Sequence, residues 1–166
     1  MSRLEAGEDA GAPKDRPTGG FVRTLKGRAL RLLSQREHSR HELERKLQAF
    51  EEAPGELTQA LDFLQAKGFI NEQRVVESLV NRRANKLGAS RVRQELQAKG
   101  LPAEAIAQAV QDLRNTELAR AREVWRKKFG AEPQDSTERA KQIRFLVSRG
   151  FAPEVVRRVV AGAEDA

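Results

Sequence analysis

Apolar residues recur along the chain at spacings of three and four, in short stretches closed by Gly or Pro-Gly. That is the period of helices with one buried face. Val22, Leu25, Ala29, Leu32 and Leu33 predict a first helix over about 21–37, with Arg23, Lys26, Arg28 and Arg31 on its other side. Leu43 and Leu47, with Phe50 beyond them, mark a second helix that Pro54-Gly55 breaks. Leu57, Leu61 and Leu64 mark a third, which Gly68 stops. The fourth carries Val76, Leu79, Val80, Ala84 and Leu87 and ends at Gly88. Val92 and Leu96 define a fifth, ending at Gly100. Ile106, Ala109, Val110 and Leu113 define a sixth, with Pro102 in its first turn. Leu118, Ala121, Trp125 and Phe129 share a face of a seventh. Ile143, Leu146 and Val147 belong to an eighth that stops at Gly150, and Val156, Val159 and Val160 to a ninth opened by Pro153.

Polar residues supply the helix starts. In Arg36–Leu47, Ser39 and Glu42 form an S-x-x-E capping box, so one helix ends near His38 and another begins at once. His38 sits where a side chain can meet free carbonyls. Asn71 is the expected cap of the fourth helix, Ser90 of the fifth, and Asp135 or Ser136 of the eighth.

The nine helices group in threes with a period of about 45 to 50 residues, which is typical of helical repeats. Residues 95–110, ELQAKGLPAEAIAQAV, are echoed by residues 145–160, FLVSRGFAPEVVRRVV: Leu96 meets Leu146, Lys99 meets Arg149, Gly100 meets Gly150 and Val110 meets Val160. Glu42-Leu43 and Lys46 fall in the matching places of the first group. The string Leu64–Gly68 copies Leu96–Gly100 in letters but closes a third helix where its copy closes a second, so helix order overrides the match. The expected fold is all-α, three tandem three-helix repeats over 21–70, 71–115 and 116–161, stacked into an elongated, curved helical-repeat body. Residues 1–20, rich in Gly, Ala and Pro, are expected to be a disordered tail and 162–166 a frayed end.

Composition narrows the chemistry. With 5% aromatic and 39% hydrophobic residues, several small cores fit better than one deep core. The absence of Cys excludes disulfides and thiolate ligands. No apolar run reaches the length of a membrane span, and the first residues have no secretion-signal pattern, so a cytoplasmic location is expected. His38 and His41, with Glu37 or Glu44 nearby, are a poor metal set, and end-of-helix roles suit both His better. No phosphate-binding Gly loop, nucleophile triad or Glu-x-x-His pair has a supporting context, so neither an enzyme nor a cofactor is expected. The net charge of +7 is spread over all three groups and favours anionic partners. Its clusters are the candidate binding residues: Arg82, Arg83 and Lys86; Arg91 and Arg93 across the Gly88 corner; Arg122, Arg126 and Lys127 around Trp125; and Arg157 and Arg158 on the ninth helix. Arg suits bidentate contact with phosphate or carboxylate. Trp125 lies on the apolar stripe and reads as core.

The run Ala29-Leu30, Leu33, Arg36 to Arg40, Glu42-Leu43 and Lys46-Leu47 closely resembles the opening of the RecX family of regulators of the bacterial RecA recombinase. The likeness continues through Gly68, Arg82, Gly88 and Glu95–Leu101. It departs in the fourth helix, where Asn71-Glu72 and Val75-Val76 stand in place of the family's usual Asp and Phe-Ala. The resemblance implies three three-helix repeats, and a non-catalytic protein lying in the groove of the RecA–DNA filament. It further implies reduced ATP hydrolysis, strand exchange and co-protease activity, with possible direct contact to single- or double-stranded DNA, no membrane contact and a monomeric state. The alternative from charge alone is a general basic helical DNA-binding protein.

Overall fold

The computed structural model describes residues 24–162, and among them the chain forms nine α-helices and no strand. The first unit comprises α1 (Leu25–Gln35), α2 (Arg40–Leu47) and α3 (Glu56–Ala66). The second has α4 (Glu72–Arg83), α5 (Ala89–Ala98) and α6 (Ala103–Asn115), and the third α7 (Glu117–Lys128), α8 (Ser136–Ser148) and α9 (Pro153–Val160). Val22, Arg23, the expected tail 1–20 and, apart from Gly162, the expected frayed end 162–166 lie outside the described residues.

Each unit closes its own small core along the stripes read from the sequence. Leu43, Leu47, Leu57, Leu61 and Leu64 fill the first with Leu25, Ala29 and Ile70. Val75, Val76, Leu79, Val92, Leu96, Ile106, Val110 and Leu113 fill the second. Ala121, Leu146, Phe151, Val156, Val159 and Val160 fill the third. Fully burying one such side chain stabilises by about 1.5–3 kcal/mol, so each core is modest alone and neighbours must share burial.

Several predicted details shift. Thr24 caps α1, accepting from the Gly27 N–H at 2.9 Å, and α1 ends at Gln35 rather than Glu37. Phe50 is not inward: it closes a 3-10 turn, Gln48–Phe50, is 46% exposed, and has the Arg28 guanidinium 3.8 Å above its ring. Pro102 stands just before α6, as its N-cap, whereas Pro153 opens α9 from within. Val147 is exposed, and Gln142 turns inward instead, accepting from Trp125 Nε1 at 2.8 Å and donating to the Ala131 carbonyl at 3.1 Å. Trp125 is thereby held against the third core. Asp135 caps α8, accepting from the Glu138 N–H. Ser90 does not cap α5. Gly88 occupies that position, because its N–H is bound by a carbonyl of the next unit.

That last contact belongs to a joint that occurs twice. In both cases the N-terminal corner of a unit's middle helix meets the middle-helix stop of the next unit. Between the first and second units, the Ser39 hydroxyl donates to the Lys99 carbonyl at 2.6 Å, and Gly100, at φ +67°, lies under the His41 ring. Between the second and third, the Gly88 N–H donates to the Arg149 carbonyl at 2.8 Å and the Ser90 N–H to the Gly150 carbonyl at 3.3 Å. Arg91 lies over Gly150 as His41 lies over Gly100, fifty residues on. A side chain on either glycine would fill the joint.

Candidate functional site

The capping box of α2 is the starting point. The Ser39 hydroxyl accepts from the Glu42 N–H at 3.1 Å, and Glu42 Oε1 accepts from the Ser39 N–H at 3.2 Å. Both partners also reach beyond their own helix. Glu42 Oε1 pairs with Lys99 Nζ of the second unit at 3.0 Å, and Oε2 with Arg36 Nη2 at 2.7 Å. Burial opposes ionisation of Glu42, but Arg36, Lys99 and the Ser39 N–H outweigh it and hold the carboxyl at about 2. His38 is fully buried beside this cluster, its Nδ1–H facing the Arg36 carbonyl at 3.0 Å and Nε2 facing Lys46 Nζ at 3.3 Å. Burial, helped by the charges of Arg36 and Lys46, lowers its pKa and keeps the ring neutral. Both nitrogens are engaged, and among the described residues no group of three His, Asp or Glu is placed to hold a metal.

Outward from the cluster the two units leave a cleft of about 650 Å³. One wall is α2 with Arg45 and Lys46; the other is α4 with Arg82 and Arg83, and α5 contributes Glu95 and Lys99. Leu79 and Ala98 form apolar parts of the lining. Six cationic groups thus face two carboxylates. Arg36 and Lys99 are committed to Glu42, and Arg83 Nε lies 3.3 Å from Glu95 Oε2. Among the described residues, Arg82 makes only a long contact from Nε to the Ser78 carbonyl at 3.4 Å, and Arg45 has no ion pair. The cleft therefore offers unneutralised cations beside an apolar floor, an arrangement that binds carboxylate or phosphate groups.

The structure brings only Arg82 and Arg83 of the sequence-predicted cations into this cleft. Lys86 stands exposed in the turn after α4. Arg91 sits at the second joint, donating to the Ser148 carbonyl at 3.2 Å. Arg93 borders a shallow depression beside Leu101 and Ile106. Arg122 is half-buried and engaged on α7. Arg126 grips Glu123 with both Nε and Nη2, at 3.1 and 2.6 Å, and Lys127 lies 3.7 Å from the same carboxylate, while Arg157 and Arg158 are exposed on α9. Sequence reasoning passed over Arg36, Arg45, Lys46 and Lys99 as cleft residues. The available signal was the pair Arg45-Lys46 in the last turn of α2, of which only Lys46 was noted, as a position of the repeat.

A different cation, Arg120, serves the scaffold. Its guanidinium donates to the carbonyls of Ala84 and Leu87 after α4, at 2.9 and 2.7 Å, and to that of Leu113 on α6 at 2.7 Å. Nearby Glu117 is 3% exposed, accepting from the Ala89 N–H at 2.7 Å and the Ala152 N–H at 3.4 Å. This pair ties α7 to helix ends of the second unit and to the start of α9 in its own.

Comparison with known proteins agrees with this architecture. Sequence models of the first, second and third RecX three-helix domains match residues 26–64, 71–110 and 115–160. The chain is 53% identical over 141 residues to the regulatory protein RecX of Leptothrix cholodnii, covering 85% of this chain and 90% of that one. It is 44% identical to the regulatory protein RecX of Ralstonia pickettii, with 86% and 89% covered. A crystal structure of RecX from Lactobacillus salivarius superposes with a TM-score of 0.66 at 19% identity, over 86% of this chain and 96% of that one. Another, of a regulatory protein RecX, gives 0.69 at 20% identity, over 81% and 70%. Among the described residues no helix is long and apolar enough to cross a membrane. Three matched domains in the order of the three cores, and relatives alike along most of their length, place the chain in the RecX family of regulatory proteins.

Proposed function

We propose that this chain regulates the RecA recombinase by lying in the groove of its DNA filament, with the cleft between the first and second units as a principal contact. The observation that carries the reading is the set of unneutralised cations, Arg45 and Arg82 above all, on a repeat body of the RecX family. The exposed cations Lys86, Arg93, Arg157 and Arg158 on later units add weaker contacts, and contacts linked on one body reinforce one another through effective concentration. Groove occupancy excludes incoming duplex and restrains the filament, lowering ATP hydrolysis, strand exchange and co-protease activity.

The test is DNA-dependent ATP hydrolysis by purified RecA with this protein titrated to stoichiometry. Inhibition is expected, and reversal of charge at Arg45 and Arg82 together should weaken it while helicity is retained. No inhibition by the unaltered protein rejects the proposal. The net charge of +7 supports a second reading, DNA binding without the recombinase. It requires tight affinity for DNA alone, falling steeply as salt rises.

A further inference from the structure

The cleft holds a carboxylate that is ion-paired but not fully hydrogen-bonded. Glu95 Oε2 is buried with no well-aligned hydrogen-bond donor among the described residues, since Arg83 Nε at 3.3 Å lies off the donor direction. The oxygen is sealed from solvent, but the Glu95 side chain is partly exposed and a turn about its last bonds presents the oxygen to the cleft. A carboxylate oxygen left without a donor costs about 1–3 kcal/mol, so a ligand that brings an N–H to it is favoured. Phosphodiester backbones bring no such donor. Nor does the lining include an aromatic ring on which a base could stack, the feature that single-strand sites rely on. A polypeptide carries what is missing: an N–H at nearly every residue, with side-chain carboxylates alongside. At about 650 Å³ the space suits a few residues of extended chain.

We propose that this cleft docks a short acidic segment of a partner protein, its carboxylates on Arg45 and Arg82 and one of its backbone N–H groups on Glu95. The proposal deepens the regulator reading and takes from it only the expectation that the partner is a protein of the filament. Leu79 and Ala98 provide the apolar floor against which such a segment lies.

The experiment needs no recombinase, so its failure is separate from failure of the regulator reading. A fluorescein-labelled hexapeptide of alternating Glu and Gly is titrated with the full chain and followed by anisotropy, against the matching peptide of alternating Gln and Gly. At least ten-fold preference for the acidic peptide is expected. The discriminating variant is Glu95→Ala, which makes the cleft more positive. If the peptide donates to Glu95, the variant binds it about five-fold more weakly, the loss of one charge-assisted hydrogen bond being partly offset by the removed charge. If charge alone holds the peptide, the variant binds it more tightly, and the proposal is overturned. Arg45→Glu should abolish binding. An unlabelled oligothymidylate of equal charge that displaces the peptide at equal concentration would also overturn it, in favour of a nucleic-acid site. Thermal melts of each variant confirm that the chain is folded.

Discussion

The joint between the first and second units is held through side chains, whereas the joint between the second and third adds direct backbone-to-backbone hydrogen bonds to its side-chain contacts. In the first, Ser39 Oγ meets the Lys99 carbonyl, Glu42 meets Lys99 Nζ, and the His41 ring covers Gly100. In the second, the N–H groups of Gly88 and Ser90 meet the carbonyls of Arg149 and Gly150, with Glu117 and Arg120 clamping helix ends around them. Side chains can change rotamer and ion pairs weaken with salt. Buried backbone contacts do neither. The same corner is thus built once as an adjustable contact beside the cationic cleft and once as a fixed one. This difference predicts that units two and three move together and that the first unit is the part that adapts when the cleft is filled.

The largest effect should come from closing the space in the fixed joint. A Cβ on Gly88 would run into the Gly150 carbonyl, and backbone on both sides leaves nothing to yield. Gly88→Ala is expected to destabilise by about 3 kcal/mol, read from urea unfolding. At the adjustable joint, Gly100→Ala meets the ring and the Cβ of His41. The ring can turn away, but Cβ moves only with the exposed N-terminal corner of α2, so the expected cost, roughly 1–2 kcal/mol, combines left-handed backbone with a small shift of that corner. Equal losses at the two glycines would erase the contrast between the joints.

Next comes Glu117. Replacing it with Ala strands the buried Ala89 N–H and removes the countercharge beside Arg120, whose pKa burial lowers despite Glu117. A loss of about 2–3 kcal/mol is expected. Hydrogen exchange should show faster opening at the starts of α5 and α9 together, since one carboxylate serves both. Acceleration at only one end would mean that the two units are not locked by it.

How much of this was legible beforehand can be judged from these residues. The apolar stripes and caps are local, so helix count, the threefold grouping and the Ser39–Glu42 box could be read directly. Gly88 and Ser90 could not be assigned correctly, because a carbonyl sixty residues downstream decides which residue caps α5. Glu117 drew no reading: it stands where any first-turn acid would, and nothing in its neighbours signals burial by another unit. The cleft was half legible: Arg82 and Arg83 stood out as a cluster, but Arg45, Lys46 and Lys99 join them only through the angle between units, which no periodicity encodes. The string repeat was also misleading by itself. Gly68 has open space where its look-alike Gly100 lies under His41, so helix order was the better guide.

Acid should separate the joints more gently. Glu42 titrates at about 2 when folded against an ordinary 4.5, so its contribution is complete above 4.5 and is lost as pH falls towards 2. After allowance for solvent screening it amounts to on the order of 2 kcal/mol. His38, lowered by burial, acts in the same direction: below its ordinary 6.5 the unfolded chain takes up a proton that the folded chain resists. Stability should therefore decline from about pH 6.5 downward, more steeply below 4.5. Glu42→Gln should remove the steeper part and make the unfolding midpoint less sensitive to salt. An unchanged acid profile in that variant would place the labile carboxylate elsewhere.

The smallest expected change is Ser39→Ala, and it tests whether one hydroxyl serves two structures. As a helix cap alone, its loss costs about 1 kcal/mol. Its hydroxyl also donates to the Lys99 carbonyl at 2.6 Å, so the joint loses a hydrogen bond at the same time. A double-mutant cycle with Lys99→Met separates the two contributions. The Met variant removes the ion pair to Glu42 but keeps the carbonyl that Ser39 reaches. If Ser39 acts only within α2, the two losses add. If the hydroxyl and the ammonium hold the same inter-unit contact, loosening one devalues the other, and the double variant should be more stable than the sum by about 0.5 kcal/mol or more. Strict additivity would show that the first joint is held at independent points, and the first unit would then be less free to swing than its side-chain construction implies.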